Sequence, residues 1–402
     1  MLKALADPAR WLEYQEYKRS SGHLSRRDDT ALEDFIQTKG YLPVVEGILQ
    51  GQPFSKPQKR EISKLHSGKK RVVYTYREPE NWVLKLLTFL LQRKYDRLFC
   101  PNLYSFRKGR SVRDAVKLLT GHPDIQKMWA YKVDISNYFN SIPIPKLLPM
   151  LREALKEEAE VYRFLETILC DPWVEADGVL LREDKGIMAG TPISTFLADL
   201  YLNAMDWHFY GEKVLYARYS DDIILFALSR EALQTQVSTV QAFLARAGLS
   251  VNREKEEWTA PGQMWTYLGI SYRDGVVDVA PASVDKLKGK MRRKARALSR
   301  WAARKNATGS QAAGAFIRKF NQKLFENTNE HDLTWSVWYF PLINTDVSLR
   351  EIDQYCQSCI RSLATGRHNK SAYNFRYEQM KELGYLSLVN RYYKVKKESI
   401  LL

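Results

Sequence analysis

The chain has 402 residues, which at roughly 150 residues per domain allows two to three domains and a sizeable core. Its 62 Lys and Arg outweigh 46 Asp and Glu, a net charge of +16, while 45% hydrophobic and 27% charged residues exclude a mainly disordered chain. Such a basic surplus calls for a polyanion, nucleic acid or anionic membrane, and 23 Tyr, 16 Phe and 10 Trp favour the first, because aromatic faces stack on bases.

Residues 1 to about 50 read as helical, and a basic segment, Ser55 to Trp82, follows. Its GKKRVVYTY portion has the Val and Tyr content of a strand entered from a turn at Gly68. Glu80 to Leu98 has helical apolar spacing, and YSFRKGRS is a basic turn hinged at Gly109, with Ser111 an expected N-cap for VRDAVKLL. WAYKVDI (Trp129 to Ile135) is a short apolar strand ending near Asp134, and Pro143 to Thr167 is helical. GIMAGTPIS turns into the helix TFLADLYLNAMDWHFY. Two apolar runs, VLYARY and IILFAL, flank Ser220, Asp221 and Asp222, the pattern of a β-hairpin with an acidic tip. A further helix to Gly248, then WTYLGISY and GVVDVA, completes an α+β pattern. After Pro281 the chain is helical with a basic face: residues 285–305 hold ten Lys or Arg against Asp285, interleaved with Leu287, Met291, Leu298 and Trp301 at helical spacing. One face packs and the other is positive, either a solvated face or a clamp for a phosphate backbone.

Four cysteines are too few for a disulfide framework, so a reducing compartment is the default. Cys356 and Cys359 have the spacing of a zinc knuckle or redox pair, but without a second pair or a suitably spaced His they fit better as two thiols on one helix. No apolar run of about 18 residues occurs and the N-terminus lacks a signal-peptide pattern, so a cytoplasmic location without membrane contact is expected.

Asp134 ends one strand, and Asp221 and Asp222 sit at the tip of a hairpin with apolar flanks. Acidic turn residues are common for conformational reasons alone. The combination points further, because aspartates at neighbouring strand ends meet, and clustered negative charge is costly unless a cation neutralises it. Oxygen ligands favour Mg2+, and a pair of such ions supports phosphoryl or nucleotidyl transfer.

KVDISNYFNSI, GIMAGTPISTFLADLYLNAMD and RYSDDIILF resemble motifs A, B and C of reverse transcriptases, over roughly residues 55 to 275. YSFRKGRS is similar to the turn of group II intron, retron and related bacterial enzymes, and LSVNREK and YLGI resemble motifs D and E. The resemblance implies a right-hand polymerase fold: an N-terminal helical extension at 1–54, fingers at 55–127, a palm at 128–279 with a helical insertion near 143–184, and a helical thumb at 280–402. It implies that Asp134 and Asp221 ligate two Mg2+ ions, Mn2+ being a substitute, with Asp222 adjacent and the Ile135 carbonyl completing a site. Phe139 would lie beneath the incoming sugar and exclude a 2′-hydroxyl. Lys69 and Arg71 would grip the triphosphate unless they are solvated charges. Lys255 would protonate pyrophosphate, and Arg107 would touch template or nucleotide. Gly190 and Ser194 match motif B, with close backbone approach to the nascent base pair at the glycine; Ala189 departs from the usual Gln, so an amide contact is missing or supplied elsewhere.

Lys290, Arg292, Arg293 and Arg296, together with the aromatic WSVWYF (335–340) unless it is core, are the candidates for gripping RNA. The pattern looks most like a compact, defence-associated bacterial enzyme of the unknown groups, without a maturase, endonuclease, RNase H or integrase segment. That implies cDNA synthesis from dNTPs on a cognate structured noncoding RNA in antiphage defence. Template-independent or protein-primed synthesis, retron-type synthesis, and a catalytically silent RNA-binding scaffold are the alternatives.

Overall fold

The computed structural model describes residues 1–21, 24–63, 70–325 and 334–400. In chain order the elements up to Pro261 are α1 (Pro8–Ser20), α2 (Arg26–Gln37), α3 (Leu42–Leu49), β1 (Gln58–Ser63), β2 (Lys70–Thr75), α4 (Glu80–Lys94), α5 (Val112–Thr120), β3 (Trp129–Asp134), α6 (Tyr138–Ser141), α7 (Ile144–Ala154), α8 (Ala159–Cys170), β4 (Trp173–Ala176), β5 (Val179–Arg182), α9 (Ser194–Tyr201), α10 (Asn203–Gly211), β6 (Leu215–Tyr219), β7 (Asp222–Ala227), α11 (Arg230–Ala247) and β8 (Glu257–Thr259). The α+β pattern expected from the sequence is what the chain adopts.

Two four-stranded sheets organise this part. The first has the order β6-β7-β3-β8 with antiparallel neighbours throughout. β7 is one of its two inner strands, and residues 223–227 are all buried, which is why DIILFA reads as a continuous apolar run rather than an alternating one. α11 packs on β3 and β7. It begins at the Ser229 cap, whose hydroxyl accepts from the Ala232 amide, and ends at Gly248 with φ +74, the left-handed closure a glycine provides without strain. The second sheet, β2-β1-β4-β5, joins the hairpin β1/β2 to the hairpin β4/β5 through one parallel register pair, Gln58↔Glu175. The stretch expected to be a helical insertion is therefore helical only through Cys170. Residues 173–182 form a hairpin, and because every residue of β5 is exposed, no core face imprints a period on VLLR.

α5 starts at a capping box, with Asp114 Oδ2 accepting from the Ser111 amide at 2.8 Å, as the Ser111 signal promised. The turn before it places Gly109 at φ +73.

A second compact unit begins at Gly262: β9 (Trp265–Tyr267), β10 (Ile270–Arg273), β11 (Val276–Val279), α12 (Pro281–Lys305), α13 (Gly309–Leu324), α14 (Trp335–Tyr339), α15 (Val347–Thr365), α16 (Tyr377–Glu382) and α17 (Leu388–Ile400). Composition suggests a change of character after residue 279, whereas the compact units divide at Pro261. The side chain of Asn344 explains the difference: its carboxamide accepts from the Val277 amide at 2.8 Å and donates to the Gly275 carbonyl at 2.7 Å, fastening β11 to the helical part. α12, α13 and α15 pack on one another. Leu287, Met291 and Leu298 of α12 are buried and Trp301 half-buried, the apolar face read from the sequence. Asp353 in α15 is buried and accepts from Tyr385 and Ser387 hydroxyls and the Leu388 and Val389 amides, which docks the start of α17. Among the described residues, no helix is long and apolar enough to cross a membrane.

Candidate active site

β6 and β7 close on each other with Tyr219 opposite Asp222, so Ser220 and Asp221 are the two loop residues of a tight hairpin. Ser220 takes φ +58, the left-handed value such loops require. On the other side of β7, Asp134 is the register partner of Asp222, and the Ile135 amide donates to the Asp221 carbonyl at 3.1 Å. Three carboxylates thus occupy one end of one sheet. Burial, followed by the charge of Asp134, holds the Asp221 carboxyl above the usual carboxylate range; burial, then Asp221 and Asp134, pushes Asp222 up to about 6. Lys255, expected beside this site, forms an ion pair with Asp134. Partial burial works against its charge, but the bond to Asp134 and the attraction of Asp134, Asp222 and Asp221 hold its ammonium above the usual lysine value.

The three aspartates share one end of the sheet, although among the described residues no three His, Cys, Asp or Glu side chains form a ready-made ligand group for an ion. The Asp134 carboxylate is engaged by Lys255, and Asp221 stands in the loop rather than in a strand. The donor set still suits Mg2+, which binds through one or two carboxylates plus substrate phosphates and waters rather than an all-protein cage. The charge of Asp134 on Asp221, and of Asp221 and Asp134 on Asp222, adds to burial in raising the two carboxyls, and that repulsion is what a divalent ion would relieve.

Arg71 of β2 is exposed and close enough for its charge to favour the ionised form of Asp221. Lys69, paired with it by sequence, lies outside the described residues, as does the Gly68 turn. Phe139 is half-buried against the core, its ring edge-on to Tyr138 with centroids 5.6 Å apart, and its carbonyl accepts from the Ile187 amide at 2.9 Å. Asn140, which sequence reading passed over, ties three segments together. Its carboxamide donates to the Val72 carbonyl of β2 at 3.2 Å and accepts from the Ala189 amide at 2.9 Å. The Tyr74 amide donates to the Ala189 carbonyl at 2.7 Å. The Asn140 carboxamide is thus engaged by backbone partners at Val72 and Ala189.

Several sequence readings need correction. Gly190 is required by its close approach to β2: at φ +102, a Cβ would lie 2.9 Å from the Tyr74 carbonyl oxygen and 3.3 Å from Val73 Cβ. Ser194 is buried, and its hydroxyl is spent on the Thr191 carbonyl at 2.7 Å, which removes it from nucleotide contact. Arg107 is only 6% exposed and gives its guanidinium hydrogens to the Asp96 carboxylate and the carbonyls of Asp96, Cys100 and Leu103. It shapes the turn and has no donor left for template or nucleotide.

In the second unit, Arg292, Arg293 and Arg296 are exposed and line a groove of about 820 Å3 with Arg300 of α12 and Ser358, Ser362 and His368. Lys290 is half-buried and its ammonium lies below the usual value, through burial and then the charges of Lys323, Lys286 and Arg293. The WSVWYF segment contains α14, with Ser336 and Phe340 buried. Cys356 and Cys359 both lie on α15, as the helical reading held, and burial raises both thiols.

A family model described as reverse transcriptase (RNA-dependent DNA polymerase) matches residues 56–272, more than half of the chain. An uncharacterized 91 kDa protein in a cob intron of Schizosaccharomyces pombe is 28% identical over 155 residues, which are 37% of this chain and 18% of that protein. The chain thus spans less than a fifth of that curated relative. Among solved structures, telomerase from Candida albicans with a TWJ fragment of telomeric RNA aligns over 90% of this chain and 70% of its own, at 12% identity and TM-score 0.45. Apo telomerase from Candida tropicalis truncated from its C-terminal domain aligns over 56% of this chain and 55% of its own, at 14% identity and TM-score 0.44.

Proposed function

The chain belongs to the reverse transcriptase family, and from that premise we propose that it is an RNA-directed DNA polymerase that extends cDNA by nucleotidyl transfer at the Asp134, Asp221 and Asp222 site. The observation that carries the reading is the placing of three carboxylates at one end of one sheet, Asp221 held above the usual range by burial and then Asp134, Asp222 by burial and then Asp221 and Asp134, with Arg71, Lys132 and Lys255 among the cations that oppose the rise. Asp134, Asp221 and the Ile135 carbonyl would hold two Mg2+ ions, or Mn2+ in their place, with Asp222 alongside; bound there, the ions would activate the primer hydroxyl and offset charge on the pyrophosphate. Arg71 binds the triphosphate, for which its exposed guanidinium on β2 is suited. The Phe139 ring stands where a 2′-hydroxyl would fall, favouring dNTPs. Lys255 delivers a proton to the departing pyrophosphate. The fingers, palm and thumb assignments follow: β1 and β2 in the fingers, β3, β6 and β7 in the palm, α12 in the thumb as an RNA grip. The template is a structured noncoding RNA, and the setting is bacterial antiphage defence; both readings are supported by the motif resemblance.

The double substitution Asp221→Ala, Asp222→Ala is expected to abolish labelled dNTP incorporation on a primed RNA while leaving the thermal midpoint equal or higher, because repulsive buried charge is removed. Sequencing nucleic acid that copurifies with the unsubstituted protein then identifies template, primer and product. Normal polymerisation by the double variant overturns the assignment, and a product unrelated to the bound RNA replaces templated synthesis with the template-independent reading.

A further inference from the structure

The most unusual side chain near the site is one the proposed chemistry does not use. Arg218 of β6 is fully buried, with 0% of its side chain exposed, and so is its partner Asp206 of α10. Nε and Nη2 of Arg218 donate to the two oxygens of Asp206 at 2.8 and 2.5 Å, the forked geometry that makes a guanidinium tolerable inside a protein. Nη2 also reaches the Asp199 carbonyl at 3.2 Å, and the Tyr216 hydroxyl donates to Asp206 at 2.7 Å. The remaining arm, Nη1, donates to the carbonyl of Ser220 at 3.0 Å.

That last contact has a geometric consequence. The Ser220 carbonyl and the Asp221 amide belong to one planar peptide unit, so fixing the oxygen fixes the plane from which Asp221 departs. Ser220 is a non-glycine residue at φ +58, a conformation that persists only where the surroundings enforce it. On the far side, the Asp221 carbonyl is held by the Ile135 amide at 3.1 Å. Asp221 is gripped through both of its peptide planes, and only its side-chain torsions remain free. The backbone of Arg218 is itself pinned: its amide donates to the Asn102 carbonyl at 3.1 Å, and its carbonyl accepts from the Tyr104 amide at 3.0 Å. A buried ion pair is a poor way to gain stability, since apolar side chains of similar volume commonly do as well. It is a good way to set the position of a carbonyl.

We propose that Arg218, anchored by Asp206, is the positioning residue for Asp221: through the Ser220 carbonyl it fixes the hairpin loop so that the Asp221 carboxylate is pre-aimed at divalent metal. The inference rests on the function proposed above for this site. The test compares the unsubstituted chain with Arg218→Met/Asp206→Leu, which replaces the pair by apolar volume, and with Arg218→Lys, which keeps a positive charge for Asp206 but has no fork to reach Ser220. Manganese binding is followed by electron paramagnetic resonance, and dNTP incorporation on primed RNA by steady-state kinetics, both well below the thermal midpoint of each protein. The expected result is a tenfold or greater loss of Mn2+ affinity and of kcat in both variants, a rise in the Mg2+ concentration giving half-maximal rate, and a KM for dNTP within threefold of the unsubstituted value. If the apolar double variant does not fold, Arg218→Lys supplies the measurement. Unchanged Mn2+ affinity in a folded variant overturns the proposal, as does an unsubstituted chain that binds no Mn2+. An unsubstituted chain that binds Mn2+ but incorporates no dNTP overturns the polymerase reading, and the metal affinities still decide the role of Arg218.

Discussion

Asp199 of α9 sits in the same buried neighbourhood as Arg218 but has a different electrostatic fate. The guanidinium is already matched by the Asp206 carboxylate, so Asp199 is a third charge without a counterion of its own; burial raises its carboxyl to about 7 against the opposing pull of Arg218 and the Ser105 hydroxyl at 2.7 Å, with Asp206 adding to the rise and Arg107 opposing it. The sign of the linkage follows. The unfolded carboxyl loses its proton near its ordinary value of 3.8 and the folded one near 7, so between these pH values the folded chain holds the extra proton and stability falls as pH rises. Asp199→Asn removes this titration, and its thermal midpoint is expected to decline less than that of the unsubstituted chain between about pH 5 and pH 7.5. Parallel declines in the two proteins would assign the slope to other groups. Residues with local signals were legible: Asp221 from an acidic tip between apolar runs, Ser111 from its capping spacing. Arg107 and Ser194 were misread because their partners, Asp96 with three carbonyls and the Thr191 carbonyl, are set by how the turn folds back. Arg218 did carry a signal: a charged residue inside VLYARY, a run otherwise fit for burial, must find a partner.

At the scale of elements, the junction between β2 and the turn preceding α9 holds the candidate nucleotide pocket together. Asn140 bridges Val72 and Ala189, the Tyr74 amide bonds the Ala189 carbonyl, and Gly190 lets the two backbones approach. Gly190→Ala would press a methyl group against the Tyr74 carbonyl at 2.9 Å in a backbone conformation L residues avoid. A stability loss of about 1–3 kcal/mol by chemical denaturation is expected, with a rise in KM for dNTP as β2 and Arg71 shift. An unchanged KM would separate the junction from nucleotide binding. Elements with a buried face or a continuous buried run were read from the sequence, as with α12 and the hairpin β6/β7. β1, β4 and β5 were missed because little of them is buried: VLLR is exposed throughout, β4 has Val174 as its one buried residue, and Gln58↔Glu175 is the register pair joining β1 to β4. The corner between β9 and β10, at Leu268 with φ +49 and Gly269 with φ +86, was likewise hidden inside an apolar run.

For the whole molecule the net charge of +16 has to be assigned, and several cations of the first unit are engaged by carboxylates, among them Arg107 with Asp96, Arg218 with Asp206 and Lys255 with Asp134. On α12, Arg292, Arg293 and Arg296 line a groove that also presents Arg300, with no acidic residue in its lining. If this groove follows a single-stranded RNA backbone, each phosphate neutralised releases counterions, and the logarithm of the binding constant falls with the logarithm of salt by about 0.7 per contact. Replacing Arg292, Arg293 and Arg296 by Gln should reduce that slope by about 2 and weaken binding uniformly across RNA sequences. The three side chains are exposed, so the thermal midpoint should barely move. Fluorescence anisotropy of labelled RNA across a salt series reads slope and affinity together. A slope that survives the triple substitution would place the phosphate contacts on other cations and leave α12 as a solvated basic helix, whereas lost affinity at constant slope would mean these arginines contact RNA bases rather than phosphates.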